Sequence, residues 1–128
     1  MTYFDSVRLD VPYEDAVGKV RAALAEQGFG VLTEIDVRAT LKAKLGAEME
    51  DYVILGACNP PLAHRALDVD RTVGLLLPCN VVVRAEEGGS VVEVLDPRVI
   101  ATVADRAELG PVAEEAGRRL SAVLAALR

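Results

Sequence analysis

The chain has 128 residues, a formal net charge of −6 and only 4% aromatic residues. That length fits one domain, residues 1–128, and a hydrophobic content of 52% with mean hydropathy +0.27 provides a core of Val, Leu, Ile and Ala. An acidic chain with no basic run lacks the cations that bind phosphates, and scarce aromatics leave few stacking platforms, so no nucleic-acid partner is expected.

In chain order, "YFDSVRLDV" (3–11) alternates as a half-buried strand. Pro12 then sets a helix-compatible φ, and Glu14 and Asp15 suit the positive end of a helix dipole. Ala16, Val17, Val20, Ala23 and Leu24 form an apolar stripe at helical spacing, with Gly28 as its stop, so a helix is expected over about 12–27. "GVLTEIDV" (30–37) reads as a strand. Val37, Leu41 and Leu45 predict a short helix ending at Gly46, and "YVILGA" (52–57) a strand apolar on both faces. Asn59 before Pro60 and Pro61 signals a helix start, with Ala63, Ala66 and Leu67 on its inner face.

"TVGLLLPCNVVVRA" (72–85) reads as one long strand interrupted at Pro78. Through the glycine-containing loop "EEGG" it pairs with "SVVEVLD" (90–96) as a hairpin. From Gly110-Pro111 onward, Val112, Ala116, Leu120, Val123, Leu124 and Leu127 mark an amphipathic helix. The expected order is β-α-β-α-β-α-β-β-α: an α+β fold with a single sheet of about five strands and helices packed on one face. A sheet covered on one side leaves the other to bury, so a homodimer is expected.

No apolar stretch approaches the roughly 18 residues of a membrane span, so no membrane partner is expected. The start "MTYFDSVRLD" lacks a basic n-region and an apolar h-region. The two cysteines therefore read as reduced thiols, and the expected compartment is the cytoplasm.

Both cysteines, and the chain's only two asparagines, fall in twin pairs: Cys58-Asn59 in "GACNP" and Cys79-Asn80 in "LLLPCNVVV". With "QGFGVLTEIDV" (27–37), the stretches "GACNPPLAHRAL" and "VGLLLPCNVVV" resemble the prokaryotic family named domain of unknown function 302. The resemblance runs from the first helix to "DP" at 96–97. It implies small dimeric proteins with a curved, mainly antiparallel sheet backed by helices, likened in architecture to the TATA-box-binding protein. That likeness implies no DNA binding. It brings neither an activity nor catalytic residues with it.

The residues themselves leave several chemistries open. Pro78 lacks a ladder donor and implies an edge, bulge or bend, and Asn80 beside it either satisfies the backbone groups so exposed or holds a polar ligand atom. Asn59 is explained by N-cap duty and also stands where a ligand could be held. Cys58 precedes a helix N-terminus that can lower a thiol's pKa, while either cysteine can equally pack as a small hydrophobe. His64, the only histidine, falls off the apolar face of its helix, and Asp36 lies near a strand end. Cys58-x5-His64…Cys79 matches no standard zinc spacing, though a soft ion such as Cu(I) needs fewer ligands. No phosphate-binding glycine loop or nucleophile elbow is present, and no cofactor is indicated.

Three readings follow. The first is a homodimeric module binding a small ligand near Cys58, Asn59, Cys79 and Asn80, with His64 and Asp36 as further contacts. The second is thiol-redox or soft-metal chemistry by Cys58 and Cys79. The third, least favoured, is an enzyme with Cys58 as nucleophile, His64 as base and Asn80 as oxyanion donor.

Overall fold

Alternation along the strands decides which face of the sheet is covered. A computed structural model describes residues 2–128. Its strands are β1 (Phe4–Leu9), β2 (Gly30–Asp36), β3 (Tyr52–Cys58), β4 (Cys79–Glu86) and β5 (Gly89–Leu95). They form one sheet in the order β1-β5-β4-β3-β2, antiparallel at every step. On β3, Val53, Leu55 and Ala57 point the same way and stand in register with Val83, Val81 and Cys79 of β4. Val92 and Val94 of β5 continue these rows, and all eight side chains are buried.

The cover comes from α1 (Tyr13–Glu26) and α5 (Gly110–Leu127). Val20 and Leu24 of α1, with Leu120, Val123 and Leu124 of α5, join the sheet residues in one core cluster. Burial of each such Val or Leu contributes about 1.5–3 kcal/mol, so this aliphatic seam is the main source of stability. The stop of α1 follows the sequence closely. Gly28 adopts φ +82°, Gly28 N–H donates to Ala25 O and Phe29 N–H donates to Leu24 O. This is the Schellman pattern, with its apolar contact made by buried Leu24 and Phe29.

The other helices are α2 (Val37–Leu45), α3 (Pro60–Val69) and α4 (Arg98–Ala104). The β4–β5 turn is formed by Glu87 (φ +40°) and Gly88 (φ +80°), and Arg8 on β1 clamps it by donating to the carbonyls of Glu86 and Glu87. The α+β class, the five antiparallel strands and the placement of helices on one face all match expectation. No described helix is long and apolar enough to cross a membrane.

Three expectations are corrected. Residues 72–77 are not strand: Arg71–Leu76 form a 3₁₀ turn, started by Asp70 Oδ1 accepting from Thr72 N–H at 2.9 Å. A short apolar run serves a buried turn as well as a strand, and here Val73 is buried while Leu75 is exposed. Pro78, whose peptide with Leu77 is cis, therefore stands just ahead of β4 rather than bending a long strand. Asn80 lies on the uncovered face opposite Gly56, exposed, and does not repair a break in the core. Finally, α4 has no counterpart in the expected order. Ahead of it Asp96 Oδ1 accepts from the backbone N–H of Arg98, closing a turn over Pro97.

Gly56 is where the strands and Pro78 meet most closely. A Cβ built there collides with Thr33 Oγ1 and lies 2.9 Å from Cγ of Pro78. Gly56→Ala is expected to cost about 1–3 kcal/mol in urea denaturation. Adding Thr33→Ala should recover part of that loss, and no recovery would place the strain elsewhere.

Candidate functional site: an apolar cavity at the ends of β3 and β4

The covered face is not filled evenly. Beside the main core lies a smaller cluster of Ala66, Val73, Cys79, Ile100 and Leu109, to which α3, α4 and the two 3₁₀ turns contribute. The second of these turns, Ala107–Leu109, leads into α5. Here the walls enclose a half-open cavity of about 360 Å³. Its floor is Ala57, Cys58 and Cys79 at the strand ends. Leu62, Ala63, Ala66 and Leu67 of α3 form one wall, with Ile100 and Ala101 of α4 and Val112, Ala113 and Ala116 of α5 opposite. Gly74, Leu77 and Pro78 close one side, and Leu32 stands at the mouth. A register shift between Val31 and Thr33 turns Leu32 outward, 67% exposed.

Arg106 ties the walls together. It donates to Val69 O at 3.1 Å and lies 3.9 Å from Asp70, joining the end of α3 to the segment after α4. The lining carries no Asp, Glu, His, Lys or Arg. Its polar side chains are Asn59 and the two thiols.

The structure brings three of the six expected site residues, Cys58, Asn59 and Cys79, to one cavity. The other three lie outside its lining. Asn80 projects from the uncovered sheet face. His64 is 76% exposed on α3, with Nε2 3.7 Å from Asp68 Oδ2 one turn on. Asp36 is the N-cap of α2, its Oδ1 accepting from Ala39 N–H at 2.9 Å. A Cys58–His64–Asn80 constellation is therefore not assembled, because helical spacing turns His64 to solvent while strand alternation turns Asn80 to the far face. Among the described residues no three His, Cys, Asp or Glu side chains gather where they could hold a metal ion.

The start of α3 also differs chemically from its sequence signature. Pro60 and Pro61 occupy the first turn and have no N–H. Leu62 N–H donates to Asn59 Oδ1 and Ala63 N–H to Asn59 O. The donors that could stabilise an anion or a thiolate at this helix start are absent or already used. The prolines that announce the helix thus disarm its N-terminus. Wall residues such as Leu32, Leu77, Ile100 and Leu109 carried no functional signal in the sequence, since an isolated aliphatic residue reads the same in a core as in a pocket.

Cys79 is buried, and burial, with a smaller contribution from Cys58 nearby, pushes its thiol up from 9.0 to about 11. The folded protein holds this proton to higher pH than the unfolded chain does. The associated stability is complete below pH 9 and is lost as pH rises through 11, by roughly 2 kcal/mol. Cys79→Ala should flatten that alkaline fall in urea unfolding measured from pH 8 to 11. An identical fall in the variant would rule out Cys79 as its source.

With the geometry in place, the chain can be set beside known proteins. The crystal structure of an uncharacterised conserved DUF302 protein from Bacillus stearothermophilus is similar with a TM-score of 0.92 and 29% identity, over 100% of both chains. No curated protein matches. The family model described as domain of unknown function DUF302 matches residues 5–127. On that match, the chain belongs to the DUF302 family.

Proposed function

We propose that this protein is a small-molecule-binding module whose ligand occupies the cavity between α3, α4, α5 and the ends of β3 and β4. The observation that carries the reading is the cavity itself. Its volume of about 360 Å³ falls in the range of ligand pockets, and its lining is almost wholly apolar. Apolar ligand surface taken out of water against this lining gains about 25 cal/mol per Å², so an aliphatic molecule is favoured there. The lining holds no acid–base pair, which favours binding over proton-transfer chemistry. Burial holds the Cys79 thiol protonated, which gives soft-metal binding by a thiolate pair less support. Free Cys58 and Cys79 suit a cytoplasmic setting.

The uncharged fluorophore N-phenyl-1-naphthylamine should bind the wild-type chain saturably with increased emission. Ala66→Leu and Ala116→Leu, which push side chains into the cavity, should weaken that binding at least tenfold, while Asn80→Ala leaves it unchanged. Absence of saturable binding, or equal binding by the filled variants, would sink the proposal.

The reading includes self-association through the uncovered sheet face. Ile35 is 48% exposed there, and Ile54 and Val82 are half-buried neighbours in register. The same face carries both charge signs, with Arg84 paired to Glu93 at 3.0 Å and Arg8 nearby on β1. A second copy related by a twofold axis can meet apolar with apolar and Arg with Glu. Light scattering on the eluting protein should give twice the chain mass, and Val82→Asp should give the monomer. A monomeric wild type at 100 µM, a concentration on the order of a weak dimer's dissociation constant, would refute it.

A further inference from the structure

The cavity walls say what kind of molecule they accept. Leu62, Leu67, Leu77, Ile100, Leu109 and Val112 present hydrocarbon, and no charged side chain lines the space. Placing a carboxylate or ammonium there strips its water and supplies no counter-charge, which costs more than aliphatic contact returns. Arg119, on α5 beyond Ala116, is not part of the lining. Arg119 donates from Nε to Glu115 at 3.0 Å and from Nη1 to Gln27 O at 3.1 Å. An uncharged occupant fits these walls best.

One polar side chain breaks the hydrocarbon. Asn59 is only 7% exposed and belongs to the lining. Its Oδ1 accepts from Leu62 N–H at 3.3 Å, which identifies the oxygen, and its Nδ2 donates to Gln27 O at 3.4 Å. That carbonyl already receives the shorter bond from Arg119. A carboxamide has two N–H donors and two acceptor lone pairs, so one donor of Asn59 has no protein partner. A ligand oxygen that accepts from this second N–H supplies the partner that the protein does not.

We propose that the cavity takes an uncharged, chiefly aliphatic molecule carrying one acceptor oxygen, a carbonyl or hydroxyl, which receives a hydrogen bond from Nδ2 of Asn59. The cavity volume is that of on the order of a dozen water molecules at roughly 30 Å³ each, room for one small molecule. This inference rests on the small-molecule reading above and specifies its ligand class.

The test is displacement of N-phenyl-1-naphthylamine from the full chain at pH 7 by 2-nonanone, nonane and nonanoate. The ketone should displace the dye at a concentration at least tenfold below that needed for nonanoate. Two variants then isolate the donor. Asn59→Asp and Asn59→Ser both keep an oxygen that can cap α3 and both lose Nδ2. Each should lower the preference for 2-nonanone over nonane fivefold or more, with circular dichroism confirming the fold. An unchanged ketone-to-alkane ratio in the folded variants overturns the inference. So does nonanoate displacing as well as the ketone from wild type, a comparison that needs no variant. If the dye fails to bind wild type at all, the small-molecule reading itself fails, which is a different result.

Discussion

The aliphatic seam between the β3-β4-β5 face and the helices α1 and α5 is the constraint on which the remainder of the molecule depends. Val53, Leu55, Val81, Val83, Val92 and Val94 on the sheet meet Val20, Leu24, Leu120, Val123 and Leu124 on the helices. With no Trp and few aromatics, these small side chains fill space only when helix and sheet approach closely. That close approach anchors α5, and with it one wall of the cavity.

Where the seam ends, packing changes character. The smaller cluster around Ala66, Val73, Ile100 and Leu109 is built from short elements: α3, α4 and two 3₁₀ turns. Short elements contribute few side chains each, and several at this place are alanine, so the walls do not close on one another. The result is an apolar hollow, with Arg106 bracing its rim.

The chemistry of the hollow follows from what is excluded as well as from what lines it. Proline at the first two positions of α3 removes donors, and Asn59 consumes the next, so an anion finds no cradle there. Burial keeps the Cys79 thiol protonated well past neutral pH, which makes it part of the apolar floor rather than a charged group. Electrostatics and packing thus agree on an uncharged, apolar hollow.

Much of the fold was legible in the residues alone. The 3.6-residue stripes of α1 and α5, the Gly28 stop, the Asn59-Pro-Pro start, the alternation of β1 and the glycine loop ahead of β5 are local signals, and each element formed where they pointed. The Cys58-Asn59 pair fell where the predicted strand 52–57 gives way to a helix, whereas Cys79-Asn80, expected inside a long strand, begins β4. Tertiary structure decided everything that depends on direction. It set Asn59 inward and Asn80 outward, because one begins a helix and the other follows a strand's alternation. It turned His64 to solvent, recast residues 71–76 as a 3₁₀ turn and added α4, since a short apolar run carries no period long enough to declare its form. The cavity itself could only emerge there: a void arises from how distant elements fail to meet, and no local pattern records that failure.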